Sequence, residues 1–358
     1  MNMNVSEIPN RVFYKDGEEY IYFGGTNYLG VTTLSEFQAL LFKNLKKWGT
    51  SYGSSRLANI QLEVYKTAEE LLAKQIGTET AVTVSSGMLA GKLALELLQK
   101  TTDLVFHFPN THPALLNIFS LPLIINNRLN PLLLDVTVSK IGIVADAIPS
   151  LEVTPIDLSI LLQIPSHKEI TLLLDESHSI GILGDKGQGV LNQIQLPNVK
   201  QKISIASLGK AFGLSGGVIA GDLSFVNELK QIQSFVGASG MNPAFLETFD
   251  NAQDLYDLQR QYLKKNLKHV AENLIPNVAF TFSKEYPVIY FDNEEVLQML
   301  FENNIIPTSF PYPTSSGKLS RIVISAHHKI EDLDKMINQL NIFSKLTGDL
   351  EGDIRFVL

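Results

Sequence analysis

Three short stretches of the sequence place polar groups next to the ends of apolar runs. "LLLDESHSIG" puts Asp175 and His178 where an apolar strand is expected to end. "ISIASLGKAFGLSGG" puts Lys210 just after another apolar run, among small residues that leave room for a ring beside its ammonium group. "SSGM", at 85–88, has the pattern of a strand-to-helix junction. Ligand-binding residues of open α/β sheets collect at the carboxyl ends of strands, which makes these stretches candidates for a site.

Each stretch has both a chemical and an ordinary explanation. A lysine that forms a Schiff base must be partly neutral near pH 7, and desolvation or a nearby cation lowers its pKa toward about 7–8. The free N–H groups at a helix start form an anion site, here offered by Gly87, Met88 and a serine hydroxyl. Taken singly, Asp175 can cap a turn beside a loop histidine, Lys210 can be a surface lysine, and "SSGM" can be a capped glycine turn.

Together the three stretches indicate one cofactor, pyridoxal 5'-phosphate (PLP). PLP needs a lysine for its aldehyde, a carboxylate for its ring nitrogen and an anion site for its phosphate. A carboxylate such as that of Asp175 keeps the ring nitrogen protonated, because an opposite charge favours the charged form. The interval between Asp175 and Lys210 is long enough for one helix or excursion between two strands.

Composition narrows the class of protein. The chain has 358 residues, a net charge of −8 and no cysteine. This length predicts two domains, or a large domain with a smaller partner. The acidic balance argues against a nucleic acid or an anionic membrane as the main partner, and no apolar run approaches the roughly 20 residues that span a bilayer. The lack of cysteine and of an HExxH pair gives no support to a metal site, and we expect a cytoplasmic protein without a signal sequence.

The order of apolar runs predicts an α/β domain around a mostly parallel sheet, followed by a smaller α+β domain. We expect an N-terminal arm and helix at 1–48 that pack with the small domain, a large domain at 49–245, and a linking helix with the small domain at 246–358. The predicted strands of the large domain are 80–86, 103–108, 122–126, 131–136, 170–176, 203–207 and 216–222. The predicted helices include 61–76, 87–100, 112–119 and 243–274.

These motifs resemble the α-oxoamine synthase family of fold-type I PLP enzymes, which includes 8-amino-7-oxononanoate synthase and has an aspartate aminotransferase-like fold. The resemblance runs from "FGGTNYLG" at 23–30 to "RIVISAHHKIEDLD" at 321–334. "DESHSIGILGDKGQG" is similar to the family's aspartate–x–x–histidine segment, and "SLGKAFGLSGG" is similar to its lysine segment. The reaction implied is condensation of an amino acid with an acyl-CoA thioester, with decarboxylation, to an α-amino ketone.

The resemblance also implies roles for individual residues. Lys210 would hold the PLP aldehyde and move the substrate α-proton, Asp175 would hold the pyridinium, His178 would contact the phenolic oxygen, and His112 would stack on the ring. The implied phosphate and cofactor contacts further include Ser86, Gly87, Met88, Ser139 and Ser207.

On the substrate side, Arg321 matches the arginine that grips the amino-acid carboxylate, a task suited to its forked donors. Thr26 and Asn27 occupy the family's asparagine motif, and Ser239 resembles a hydroxyl that reaches the phosphate of a neighbouring subunit, so a homodimer with a shared active site is implied.

Several positions depart from the family's pattern. Tyr65 stands where a histidine is expected, Asp135 where a glutamate is usual, and the stretch between His112 and Asp135 is short. These changes leave two alternatives open: an aminotransferase or lyase of the same fold, and a catalytically degenerate paralogue. A hydrolase with Ser215 as nucleophile is disfavoured, because "GGVIAG" after it predicts a strand where that motif needs a helix.

Overall fold

The computed structural model describes residues 3–311, 318–347 and 356–357. Contacts divide the chain into two units. The larger unit comprises residues 34–150 and 155–256, and the smaller unit comprises residues 1–33, 151–154 and 257–358. The domain boundaries expected at 48 and 245 stay a prediction.

The larger unit is built around a seven-stranded sheet. The first two strands of the chain, β1 (Val12–Lys15) and β2 (Glu18–Phe23), belong to the smaller unit. The seven strands of the larger sheet, in chain order, are β3 (Thr80–Val84), β4 (Leu104–His107), β5 (Ser120–Pro122), β8 (Lys140–Asp146), β9 (Glu169–Asp175), β10 (Val199–Ser207) and β11 (Gly217–Gly221). A separate two-stranded hairpin is formed by β6 (Ile124–Ile125) and β7 (Arg128–Leu129).

The sheet order is β3-β11-β10-β9-β8-β4-β5. Neighbours from β10 to β5 pair in parallel, whereas β11 runs antiparallel to both β10 and β3. All strands but β11 therefore point the same way, and the carboxyl ends of β8, β9 and β10 meet at one edge. This is the mostly parallel α/β sheet that the buried apolar runs predicted.

The helices of this unit follow amphipathic stretches of the sequence. They are α1 (Ser35–Trp48), α2 (Glu63–Ile76), α3 (Gly87–Thr101), α4 (Leu223–Leu229), α5 (Gln233–Val236) and α6 (Pro243–Asn251). Helix α3 packs Leu93 and Leu97 into the buried apolar cluster that contains Val82 and Ile205 of the sheet. Its N-terminus is fixed because the Ser86 hydroxyl accepts the N–H of Leu89 at 3.2 Å.

The smaller unit holds a second seven-stranded sheet, of order β1-β2-β14-β15-β13-β12-β16. Its later strands are β12 (Phe280–Ser283), β13 (Tyr286–Phe291), β14 (Ile305–Pro311), β15 (Lys318–Val323) and β16 (Phe356–Val357). Its helices are α7 (Gln253–Asn273, in this unit from Asp257), α8 (Glu294–Glu302) and α9 (Ile330–Thr347). Among the helices that the structure describes, none is long and apolar enough to cross a membrane.

Three sequence-based predictions of local structure were wrong. The run at 131–136 is not a strand but a 3-10 turn, Pro131–Leu134, because proline sits at its first position and Asn130 accepts the N–H of Leu132 at 3.1 Å. The stretch 112–119 holds only a 3-10 turn, Pro113–Leu115, rather than a helix. The central strand β8 was not predicted at all.

Candidate active site

Three neighbouring strands end in polar residues at the same edge of the larger sheet. Asp146 is the last residue of β8, Asp175 of β9 and Ser207 of β10. Asp146 and Asp175 are register partners across the parallel pair. The predicted position of Asp175 at a strand's carboxyl end is thus observed, and the structure adds a second carboxyl beside it.

His178 and Lys210 meet over this edge from two different loops. The Nζ atom of Lys210 lies 2.9 Å from Nε2 of His178. A protonated lysine can only donate, so Nε2 of His178 accepts and its ring proton then sits on Nδ1. The Lys210 loop is closed at its base, where Leu208 donates its N–H to the Gly216 carbonyl at 3.0 Å.

The segment after β9 is held from below by Glu176. This side chain is fully buried, and its carboxylate accepts the Ser204 hydroxyl at 2.9 Å and the N–H of Leu191 at 3.1 Å. Burial raises the pKa of Glu176, while these donors counteract the rise. Asp175 in turn accepts the N–H of Ser177 at 2.9 Å, which orients its carboxylate. The turn that carries Asp175 and His178 is therefore anchored on both sides.

The start of α3 lies directly against the end of β10. A Cβ atom built on Gly87 would come within 2.6 Å of the Ser207 Cβ, so only glycine permits this approach. The N–H groups of Leu89 and Ala90 are used by Ser86, at 3.2 Å and 3.0 Å. Gly87 and Met88 are the first two residues of the helix, and the N–H groups of a first helical turn have no acceptor within the helix, as an anion site requires.

His112 is fixed by two contacts of its own turn. Its Nδ1 accepts the N–H of Ala114 at 3.2 Å, so a neutral ring carries its proton on Nε2. Its main-chain N–H lies 3.2 Å from each carboxylate oxygen of Asp146. Burial lowers the pKa of His112, and the charges of Asp175 and Lys210 act on it in opposite directions. The structure therefore brings His112 together with Asp175 and Lys210.

Asp146 was missed by the sequence analysis. It ends "KIGIVAD" in the same way that Asp175 ends "EITLLLD", and an apolar run closed by aspartate is the signal that could have found it. The strand predicted at 131–136 instead placed Asp135 at the position where the family usually has a glutamate. Asp135 is exposed and lies in the loop before β8.

Ser139 must be corrected. It precedes β8 at the amino edge of the sheet, where its hydroxyl donates to Asp103 at 3.2 Å. Asp146 is the last of the seven residues of β8 and Ser139 directly precedes the first, a length of roughly 20 Å at about 3.3 Å per residue. Ser139 therefore does not join the group at the carboxyl edge. The error follows from the misplaced strand at 131–136.

Ser239 lies on an exposed loop between α5 and α6. The loop is braced by Tyr65, whose hydroxyl donates to the Met241 carbonyl at 2.7 Å. Gly240 packs against the same ring, because a Cβ there would come within 2.6 Å of the Tyr65 hydroxyl oxygen. The position where a histidine was expected thus holds a tyrosine that fixes the Ser239 loop. The contribution of Ser239 to a second subunit stays a prediction.

The remaining predicted residues belong to the smaller unit. Arg321 is a buried residue of β15, and its guanidinium lies 3.5 Å from the Gly25 carbonyl. Its Nε has no hydrogen-bond partner among the described residues. Burial by itself would lower the pKa of Arg321, but the buried tyrosines around it, Tyr28 foremost, raise that pKa overall. This guanidinium is suited to an anionic partner.

Thr26 and Asn27 form a turn in the same unit. The Thr26 carbonyl accepts the N–H of Tyr28 at 2.9 Å, and the Asn27 amide donates to Thr32 at 2.7 Å. The Asn27 carbonyl also accepts the Ser325 hydroxyl at 2.7 Å. The Asn27 side chain therefore has a structural task, and contact of Thr26 or Asn27 with a substrate stays a prediction.

Comparison with known proteins agrees with this arrangement. The family model "Aminotransferase class I and II" matches residues 152–340. The 8-amino-7-oxononanoate synthase of Petrotoga mobilis is 24% identical over 94% of this chain and 91% of its own length. The serine palmitoyltransferase of Sphingomonas wittichii has the same fold, with a TM-score of 0.75, 18% identity, and coverage of 95% of this chain and 91% of that one. A serine palmitoyltransferase solved with PLP also has a TM-score of 0.75 and 18% identity, and covers 93% of this chain and 89% of its own.

The fold-type I architecture predicted from the motifs is confirmed by these structural similarities, and the predicted resemblance is confirmed by the relatives. The family match spans more than half of the chain and includes Asp175, His178, Lys210 and Arg321. The protein belongs to the aminotransferase class I and II family.

Proposed function

We propose that this protein is a PLP-dependent acyltransferase that condenses an amino acid with an acyl-CoA thioester, releasing carbon dioxide and coenzyme A and forming an α-amino ketone. The observation that carries the proposal is the meeting of Lys210, Asp175 and the start of α3 at one edge of one sheet. The relatives named 8-amino-7-oxononanoate synthase support the acyl-CoA part of the proposal.

The residues present fit PLP. A primary amine, a buried carboxylate and a helix start are the three partners that an aldehyde, a ring nitrogen and a phosphate require. The contact between Gly87 and Ser207 excludes any side chain at the helix start, which keeps the N–H groups there accessible. Gly209, which precedes Lys210, has no atom within 3.4 Å of a Cβ built on it, so the lysine loop is open beside the amine.

When bound, PLP supplies an electron sink for the charge that develops at the amino-acid Cα. The protein's own residues bind and orient. Asp175 holds a positive charge at a ring nitrogen, and the neutral imidazole of His112 offers its flat face to an aromatic ring. Lys210 would move the proton of the amino-acid Cα, and its contact with Nε2 of His178 at 2.9 Å orients its amine.

We further propose that the protein acts as a homodimer in the cytoplasm, with Ser239 reaching the phosphate of the neighbouring subunit. The exposure of the Ser239 loop and its bracing by Tyr65 support this role. Arg321 would hold the amino-acid carboxylate, which is supported by its forked donors and by its Nε, for which the described part of the chain offers no hydrogen-bond partner.

The function is tested by incubating the purified protein with PLP and measuring coenzyme A release with glycine, alanine or serine against acyl-CoA thioesters of several lengths. We expect a visible absorption band on PLP addition and coenzyme A release with at least one pair. Amino-group transfer to a keto acid without coenzyme A release would identify an aminotransferase instead. PLP binding without either reaction would favour the degenerate paralogue, and no PLP binding would overturn the proposal.

A further inference from the structure

The strand-end carboxyls of Asp146 and Asp175 form a pair that the proposed function does not explain. They are register partners on β8 and β9, and both residues are almost fully buried, with exposed fractions of 7% and 8%. Neighbouring parallel strands lie about 4.8 Å apart, so the two side chains share one environment. PLP needs one carboxylate at its ring nitrogen, and Asp175 supplies it. Asp146 therefore requires another explanation.

The contacts of Asp146 point to His112. Both of its carboxylate oxygens lie 3.2 Å from the main-chain N–H of His112. This contact joins the central strand β8 to the loop that carries the His112 ring. The residues that follow His112 are held separately by Lys92 of α3, whose amine donates to the Pro113 and Leu116 carbonyls at 2.6 Å and 2.7 Å. Asp146 is thus the strand-end side chain that holds the main chain of His112 itself.

The charge of the pair is limited by its environment. Two carboxylates that share a buried site do not both ionise, and one of them retains its proton. Burial raises the pKa of Asp146 well above its ordinary value, and the neighbouring charge of Asp175 raises it further. The His112 N–H and the charge of Lys210 act in the opposite direction and do not cancel the rise. Asp175 differs from Asp146 in its contact, because it accepts the N–H of Ser177 in its own turn at 2.9 Å.

We propose that Asp146 is a positioning residue: in its neutral form it clamps the main chain of His112, so that the imidazole is held in place and the negative charge of the strand ends rests on Asp175 alone. A second carboxylate at this edge would place excess negative charge beside the cofactor. The neutral acid holds the histidine loop without adding that charge. This inference rests on the proposed function, because it concerns how the PLP-binding residues are arranged.

The first test uses the cofactor-free protein and NMR of its histidine rings, with the His112 signal assigned by H112Q. Asp146→Asn keeps an oxygen that can accept the His112 N–H and carries no charge. In D146N we expect the same tautomer of His112 and a His112 pKa within about 0.3 units of that in the unmodified protein. In D146A the His112 pKa should rise toward about 6.5, because the ring becomes solvated. A His112 pKa that falls in D146N would show that Asp146 is ionised, and an unchanged pKa in D146A would show that it does not hold the loop. Either result overturns the inference.

A matched control is available at the opposite edge of the same sheet. Asp103 accepts the main-chain N–H groups of Ser139 and Lys140, each at 2.8 Å, and so makes the same type of contact away from the site. D103A should leave the His112 signal unchanged. If D103A moved it as much as D146A, the effect would be a general loss of structure and the positioning role would be refuted. Thermal unfolding of each variant identifies any that does not fold. If D146A does not fold, the comparison of D146N with the unmodified protein provides the test.

The second test uses the PLP-loaded protein and the pH dependence of its visible absorption band. The pKa of this band in D146N should lie within about 0.3 units of the pKa in the unmodified protein, because the charge near the cofactor is the same. D146A should bind PLP about tenfold more weakly, a loss of about 1.4 kcal/mol, while D146N binds normally. A band whose pKa falls in D146N contradicts the inference. Failure of the unmodified protein to bind PLP would overturn the proposed function alone, since the NMR test does not use PLP.

Discussion

The Nζ atom of Lys210 and the Nε2 atom of His178 lie 2.9 Å apart, although they come from loops that follow different strands. Two cations cannot occupy this distance without repulsion, so the pair favours a state with one shared proton. The neutral amine is the form of a lysine that reacts with an aldehyde, and an amine held beside an imidazole is placed for proton exchange. The pairing therefore identifies Lys210, rather than another lysine of the chain, as the residue to test first.

Replacement of Lys210 by alanine should abolish the covalent attachment of PLP. Borohydride fixes PLP on the protein through a lysine amine, and we expect no fixation in K210A and activity at least about 100-fold lower, because the group that moves the proton is lost. Lys202 is the matched control: it lies on the same strand β10, and its amine donates to the Ile194 carbonyl at 3.2 Å, away from the carboxyl edge. Borohydride should fix PLP on K202A as it does on the unmodified protein. PLP fixation in K210A would refute the assignment.

Gly87 should be intolerant of even one added methyl group. A Cβ there would meet the Ser207 Cβ at 2.6 Å and the Ser207 main-chain Cα at 2.8 Å, so α3 and β10 must move apart. Overpacking of this kind typically costs about 1–3 kcal/mol, and we expect G87A to bind PLP at least about tenfold more weakly.

The control for this change is Gly53, where a Cβ meets nothing within 4 Å. G53A should bind PLP as the unmodified protein does. Equal PLP affinity in G87A and the unmodified protein, measured by equilibrium dialysis, would show that the helix start does not hold the phosphate.

Much of the larger sheet could be predicted because its strands are continuous apolar runs. The predicted strands at 80–86, 170–176 and 203–207 correspond to β3, β9 and β10, and the predicted helix at 87–100 is α3. For the same reason Asp175 and Lys210 could be placed after strands. The fold and the core of the site thus follow from hydrophobic pattern and the residues that interrupt it.

The part of the site around β8 was missed, because the apolar signal of this strand is weaker than that of the run before it. Gly142 weakens the apolar run of β8, but a Cβ there would lie 2.8 Å from Leu98 of α3, so the close packing of helix on sheet requires glycine. The more apolar run at 131–136 looked like the better strand, although Pro131 starts a 3-10 turn there. Because the strand was expected at 131–136, Ser139 was placed among the cofactor residues and Asp146 was missed.

Substitution of Arg321 by lysine tests the smaller unit's part in substrate binding. Lysine keeps the charge but loses the forked donors, and charge-assisted hydrogen bonds contribute about 1.5–3 kcal/mol. We expect the KM for the amino acid to rise about tenfold or more in R321K, with a smaller change in the KM for the acyl-CoA. Arg128→Lys on the exposed hairpin strand β7 is the control and should leave both constants unchanged. Equal effects on both substrates would contradict a role in holding the carboxylate.

The smaller unit should lose stability in acid because His328 is buried in its neutral form. Its Nδ1 accepts the N–H of Ser325 at 2.9 Å, and its Nε2 therefore donates to the Tyr22 carbonyl, 3.0 Å away. Burial, opposed by these backbone bonds, lowers the pKa of His328 to about 4. A histidine in the unfolded chain titrates near pH 6.5, so above that pH the residue is neutral in both states and its contribution does not change. As the pH falls from about 6.5 toward 4, only the unfolded state takes up the proton, and stability is lost over that window.

We expect this loss to reach up to about 3 kcal/mol at pH 4, since each pKa unit corresponds to about 1.4 kcal/mol. His328→Gln removes the titrating group, so its melting temperature should fall less steeply between pH 6.5 and 4, even though it starts lower because buried contacts are lost. His167, which is exposed, provides the control, and H167Q should keep the slope of the unmodified protein. Burial lowers the pKa of His327 to about 3, so this histidine still contributes part of the pH dependence of the melting temperature in H328Q. If the melting temperatures of H328Q and of the unmodified protein fell with the same slope between pH 6.5 and 4, His328 would not be buried in its neutral form.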